Sequence, residues 1–234
     1  MSNDLQSTIS LLLNGNWRSN PAMKALIDDY IEYHQVLVVA GSLITLAFVW
    51  GSVAFLWSIW KFRKIDRPGR RISQTVSLGF GILFGISGCL FGLLVVANAS
   101  TALHPLPGFS SLVSMTSTRY DSEVDRKTIE WIQTGSSNIP PVIAIKVEDR
   151  IAWQRPKAII CGALFLLFSV LSGAIWKALI KDAGQPRFSK RRHRTVVLAS
   201  GFGTVSASML LLVMAVANTQ GALAPLTISV LGGS

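Results

Sequence analysis

Charge is scarce in this chain, and acidic charge scarcest. Only 15% of its 234 residues are charged, with 12 Asp and Glu against 22 Lys and Arg. Two cysteines, Cys89 and Cys161, exclude a disulfide framework, and both lie inside apolar runs as small packing residues. There is no HExxH, no Cys/His set at metal-ligand spacing, no Gly-rich phosphate loop and no acidic pair within an apolar run. These absences leave no candidate catalytic residue, no metal ligand and no cofactor, and the expectation is a non-enzymatic protein.

What the chain does have is hydrocarbon. Half of its residues are hydrophobic and the mean hydropathy is +0.46. Four runs, at about 36–60, 76–98, 158–180 and 195–218, are long enough to cross a bilayer core, which takes roughly 20 apolar residues. None carries a charge in its central part; Lys177 stands near the end of the third. The first run starts too far along the chain, and is too long, for a signal peptide, so the N-terminal segment is expected to remain. The fold expected is an all-α membrane protein with four transmembrane helices.

The net charge of +10 is unevenly placed. Residues 61–71 hold six basic groups (Lys61, Arg63, Lys64, Arg67, Arg70, Arg71) and one acid, and residues 177–194 hold seven and one, among them Lys190, Arg191, Arg192 and Arg194. Residues 1–35 hold two basic and four acidic groups, and 99–157 hold seven and six. Short Lys/Arg-rich loops stay in the cytoplasm. Both basic turns are therefore expected inside, against anionic headgroups of the inner leaflet, with the N- and C-termini outside. Because the charge is split over two short loops, nucleic acid is not an expected partner. Trp60 and Trp176 border the basic turns, while Tyr30, Tyr33, His34 and Trp153 border the opposite ends, as an aromatic belt does. His34 and His104 read as interfacial polar groups.

The chain also repeats itself. "ANASTALHPL" at 97–106 returns as "ANTQGALAPL" at 217–226, and an ungapped offset of 120 aligns 27 identical residues over 114 positions. Residues 1–114 and 121–234 thus read as two copies of one unit, joined by 115–120. Each copy holds an outer amphipathic segment, two spans with a basic turn between them, and an outer tail. An even number of spans puts both copies in the same sense, so the expectation is two parallel tandem repeats of a helical hairpin, with a pseudo-twofold axis along the membrane normal.

Within a copy, Leu5, Ile9, Leu12 and Leu13, and then Ile129, Trp131 and Ile132, fall at helical spacing. Gly15 and Gly135 should end these short helices, and Pro21 and Pro140–Pro141 should open the next ones. The segments suit the outer leaflet, a place capping the bundle, or packing on a partner. Asn98 and Asn218 read as helix C-caps, followed by short helices from Pro105 and Pro225. Gly81, Gly85, Gly88 and Gly92 in the second run, and Gly201, Gly203 and Ala207 in the fourth, recur at spacings that let helices approach closely in lipid. These faces are expected to meet each other near the axis, with Trp50, Phe55, Trp57, Phe165 and Phe168 turned to lipid or a partner. The functional expectation is a membrane subunit or accessory and assembly factor of a larger membrane complex, bound to other membrane proteins or to itself in a bacterial plasma membrane. An oligomeric channel or transporter component is the alternative.

Overall fold

The structure, a computed structural model, describes residues 2–63, 70–115, 122–182 and 191–231. Among these residues every element is helical: α1 (Ser2–Asn14), a 3-10 turn (Trp17–Ser19), α2 (Pro21–Arg63), α3 (Arg70–Leu103), α4 (Pro105–Met115), α5 (Ser122–Thr134), α6 (Pro141–Asp182), α7 (Arg191–Leu223) and α8 (Leu226–Leu231). The helices α2, α3, α6 and α7 are each long and apolar enough to cross a membrane, and the chain is an integral membrane protein. At 1.5 Å per residue the 43 residues of α2 run about 65 Å, roughly twice a 30 Å hydrocarbon core.

Local chemistry accounts for the element ends. Pro21 and Pro141 sit at the first helical position, where a missing N–H costs nothing. Asn20 caps α2 by accepting the Met23 N–H at 3.0 Å. Gly135 takes φ +62° and sends its N–H back to Trp131 O and Ile132 O, a left-handed stop that only glycine adopts cheaply. The Gly15 N–H also returns to Leu11 O and Leu12 O, there without a left-handed φ. Asn98 and Asn218 do not cap helices. The backbone runs on through both, to Leu103 and Leu223, and the stop comes just before Pro105 and Pro225. Pro156 lies inside α6, where it removes one ladder hydrogen bond.

The chain divides into two compact units. The cap unit comprises 1–39, 95–157 and 217–234. Its core is built from several segments: Ile9, Met23, Leu26, Ile27, Phe109, Ile132 and Ile143 are fully buried, with Leu5, Trp131 and Val230 nearly so. The apolar stripe of α1 is covered by α4 and α5. That settles the placement of these amphipathic segments: they spend their hydrophobic faces on protein, not on a leaflet. The opposite face of α5 carries Glu123, Arg126, Lys127 and Glu130, a surface that belongs in water.

The span unit comprises 40–94 and 158–216. Little of its surface is covered by protein; between 11 and 22% of each span's most apolar window is buried, which leaves the rest to lipid. Leu46, Trp50, Val53, Trp57, Leu166 and Val170 all point outward.

Candidate functional site

In the span unit, the two hairpins close through small residues. A Cβ placed on Gly81 would lie 2.8 Å from Leu56 Cδ2, one on Gly88 would lie 3.3 Å from Val49 Cγ2, and one on Gly85 would lie 3.2 Å from Ser52 Oγ. Gly92 faces Thr45. The glycine stripe of α3 is therefore turned to its own hairpin partner α2, not to the fourth span as the spacing suggested. The Ser52 hydroxyl donates to Gly81 O at 2.8 Å, and the hydroxyls of Ser58 and Ser77 meet at 3.0 Å. In the second hairpin Gly201 packs under the Trp176 indole, whose Cε2 would stand 3.0 Å from an added Cβ. Gly203 has nothing within 4 Å and is exposed, and Ala207 is half-buried.

These close approaches leave a cavity of about 560 Å³ within the span unit. Large side chains line it from both hairpins, Phe48, Phe55, Phe80 and Phe84 from α2 and α3 and Phe165 and Trp176 from α6, while its hydroxyls, Ser169, Ser172 and Ser208, come from α6 and α7 alone. The rings form a continuous train. Phe55 stacks on Phe80 with centroids 5.4 Å apart, Phe84 meets Phe48 edge-on at 5.2 Å, and Phe80 meets Trp176 edge-on at 4.8 Å. Trp176 also meets Phe202 at 5.5 Å. Phe55 and Phe165, expected to face lipid or a partner, line this space instead, whereas Trp50 and Trp57 are outward. Gly51 makes the ring train possible: a Cβ there would lie 2.5 Å from Phe84 Cδ1.

No lining residue carries a charge. The cavity can hold an apolar body and offers three hydroxyls for orientation, but no group with which to activate a substrate. The sequence reading passed over Gly51, Phe80, Phe84 and Ser172 as site residues. A faint sign of them exists, since Ser172 is the offset counterpart of Ser52, but nothing in the spacing of Phe80 and Phe84 tells an inward ring from an outward one.

In the cap unit, polar groups join distant segments. Asp29 accepts the first amides of α8, from Leu226 N–H at 3.1 Å and Thr227 N–H at 2.7 Å, while the Thr227 hydroxyl donates to Leu26 O at 2.6 Å. Gln220 Nε2 donates to Tyr33 O at 2.9 Å. His34 Nδ1 and Asn98 Oδ1 lie 2.7 Å apart. Asn20, besides capping α2, donates from Nδ2 to Ile132 O at 2.7 Å, which satisfies a carbonyl at the end of α5. Among the described residues no group of three His, Cys, Asp or Glu could hold a metal ion, and Cys89 and Cys161 are free thiols.

Of the basic residues expected at the inner leaflet, Lys64, Arg67 and Lys190 lie outside the described residues. Lys61 and Arg63 end α2, Arg70 and Arg71 open α3, and Arg191, Arg192 and Arg194 open α7; their side chains are likewise outside the described part. Comparison with protein-family models, with curated proteins and with solved structures finds no match to this chain.

Proposed function

We propose that the chain is a non-enzymatic integral membrane subunit, an accessory or assembly factor that docks onto other membrane proteins through its spans. Gly203 carries this reading. It leaves helix backbone bare at an exposed position of α7, with open space where a Cβ would stand. A bare glycine face is worth most when another helix backbone comes against it. The polar groups of the cap unit support the same reading, because Asp29, Asn20, Gln220, His34 and Asn98 are spent on holding segments of this chain together.

The architecture behind this role is a duplicated hairpin in which both copies run in the same sense about a pseudo-twofold axis along the membrane normal. Element starts support it: Ser2 and Ser122, and Pro21 and Pro141, stand at the offset of the sequence repeat, as do the ends Leu103 and Leu223. One contact also recurs. Leu56 packs on Gly81, and at the offset positions Trp176 packs on Gly201. The basic turns then face the cytoplasm, and the cap unit and both termini face outward from a bacterial plasma membrane.

The test is purification in lipid nanodiscs with mass analysis of co-purifying proteins. A stoichiometric partner, lost in Gly203→Leu while the protein stays folded, is expected. Solute flux through the protein in liposomes would replace this reading with the alternative, an oligomeric channel or transporter component.

A further inference from the structure

We propose that the cavity of the span unit is a lipid site, occupied by one acyl chain of an anionic phospholipid whose headgroup lies beside Lys177 and Lys181. The inference is independent of the subunit reading. It starts from the walls. Most of the lining of this space of about 560 Å³ is hydrocarbon, and if it stayed empty that lining would lose contact on one side. The volume falls within the roughly 300–1,000 Å³ typical of ligand pockets. The medium around the spans is itself hydrocarbon, so the abundant apolar body at hand is a lipid tail.

Length fits as well. Along α6 the lining residues run from Phe165 to Ile180, about 22 Å at 1.5 Å per residue. One leaflet of hydrocarbon is roughly 15 Å thick. A single tail can thus lie lengthwise, between the Phe80 and Phe84 rings of α3 and the α6 lining from Phe165 to Ile180. Charge marks which end is the head. Trp176 and Ile180 close the lining on α6, and the next residue after each, Lys177 and Lys181, is exposed. Two ammonium groups one helical turn apart suit a phosphate headgroup.

The structure supplies its own plug. Gly173 lines the cavity and has nothing within 4 Å of its Cβ position, so Gly173→Leu adds bulk to the space without striking backbone. Gly162, on the same helix, is equally open but lies outside the lining, and Gly162→Leu is the control. The full-length protein is reconstituted in nanodiscs with phosphatidylglycerol bearing a diazirine near the tail end, irradiated, and the adducts are mapped by mass spectrometry. Adducts on Phe80, Phe84 or Trp176 are expected, falling about tenfold in Gly173→Leu and unchanged in Gly162→Leu. Replacing phosphatidylglycerol by phosphatidylcholine, or Lys177 and Lys181 by Gln, should lower them about fivefold for each charge interaction lost. Adducts confined to outward residues such as Leu166 and Val170, at equal yield in both variants, would overturn the proposal. If Gly173→Leu fails to fold, the adduct map of the unaltered protein decides alone. Cavity adducts that do not distinguish the two headgroups would reject the assignment of an anionic lipid.

Discussion

In the cap unit Ile9, Met23, Leu26 and Ile132 are fully buried; in the span unit Leu46, Trp50, Trp57 and Val170 are mostly exposed. The residue types are alike and the placement is inverted. In water, apolar area is worth about 25 cal/mol per Å² when covered, so the cap unit gathers it inside. In lipid that gain vanishes, and helix association rests on close packing and hydrogen bonds. The span unit accordingly places its small residues at contacts: Gly81 under Leu56, Gly201 under Trp176, and the Ser52 hydroxyl on Gly81 O. It follows that glycine and serine should matter in one unit where large side chains matter in the other.

The largest expected effect breaks the cap core. Phe109 is fully buried and meets Tyr30 edge-on at 5.6 Å. Phe109→Ala should destabilise the protein by about 3–5 kcal/mol, while Trp50→Ala, at an outward span position, should change stability by less than about 0.5 kcal/mol. Denaturant unfolding in detergent micelles measures both. Equal losses would mean that Trp50 is not simply a lipid-facing residue.

Much of this inversion can be read from residue order, and some cannot. Apolar runs identify the spans, because crossing hydrocarbon demands length and little else. Gly15 and Gly135, followed by Pro21 and Pro141, mark the helix breaks, because stops and starts are decided within a few residues. The Asn98 reading failed because a polar side chain near a helix end has two uses. Here Asn98 reaches His34, and the helix continues to Leu103. The glycine stripe of α3 was visible, but which helix it faces was not, since spacing defines a face without naming its neighbour. The cavity was least legible of all. Whether Phe55 points in or out depends on where Phe80 and Phe84 stand, and those rings belong to another helix.

Asp29 and Asp149 sharpen a second contrast, between offset-related positions of the cap unit. Asp29 receives two amides of α8, whereas Asp149 is exposed. Sequence supplies a reason for part of the difference: the offset counterpart of Thr227 is Pro107, which has no N–H to give. Asp29→Ala should cost about 1–3 kcal/mol and raise hydrogen exchange at Leu226 and Thr227. Asp149→Ala should stay within about 0.5 kcal/mol and leave that exchange unchanged. Similar effects from both would show that the two α8 amides add nothing at Asp29.

A smaller effect tests the glycines. Gly51→Ala forces a methyl into the Phe84 ring, which is boxed in by Phe48, Phe55 and Phe80, and should cost about 1–3 kcal/mol. Gly203→Ala meets open space and should raise stability of the isolated protein by up to about 1 kcal/mol through helix propensity. Unfolding by added SDS in mixed micelles ranks the pair, and a stabilising Gly51→Ala would show that the aromatic train has room.

The smallest effect concerns the wet face of the cap. Lys127 Nζ donates to Glu130 Oε2 at 2.8 Å across one turn of α5. That hydrogen bond, and then the lysine charge, hold the Glu130 carboxyl below the usual glutamate range. A carboxyl lowered on folding contributes to stability above its unfolded pKa and loses that contribution as pH falls through the folded one. The pair is solvent-screened, so its share is small at every pH. Lys127→Ala should return Glu130 toward its ordinary titration range, seen by NMR of the labelled side chain, without moving the Tm at neutral pH. A marked fall in Tm would mean that α5 depends on surface charge as well as on Trp131 and Ile132, and that the cap unit is held together from outside as well as within.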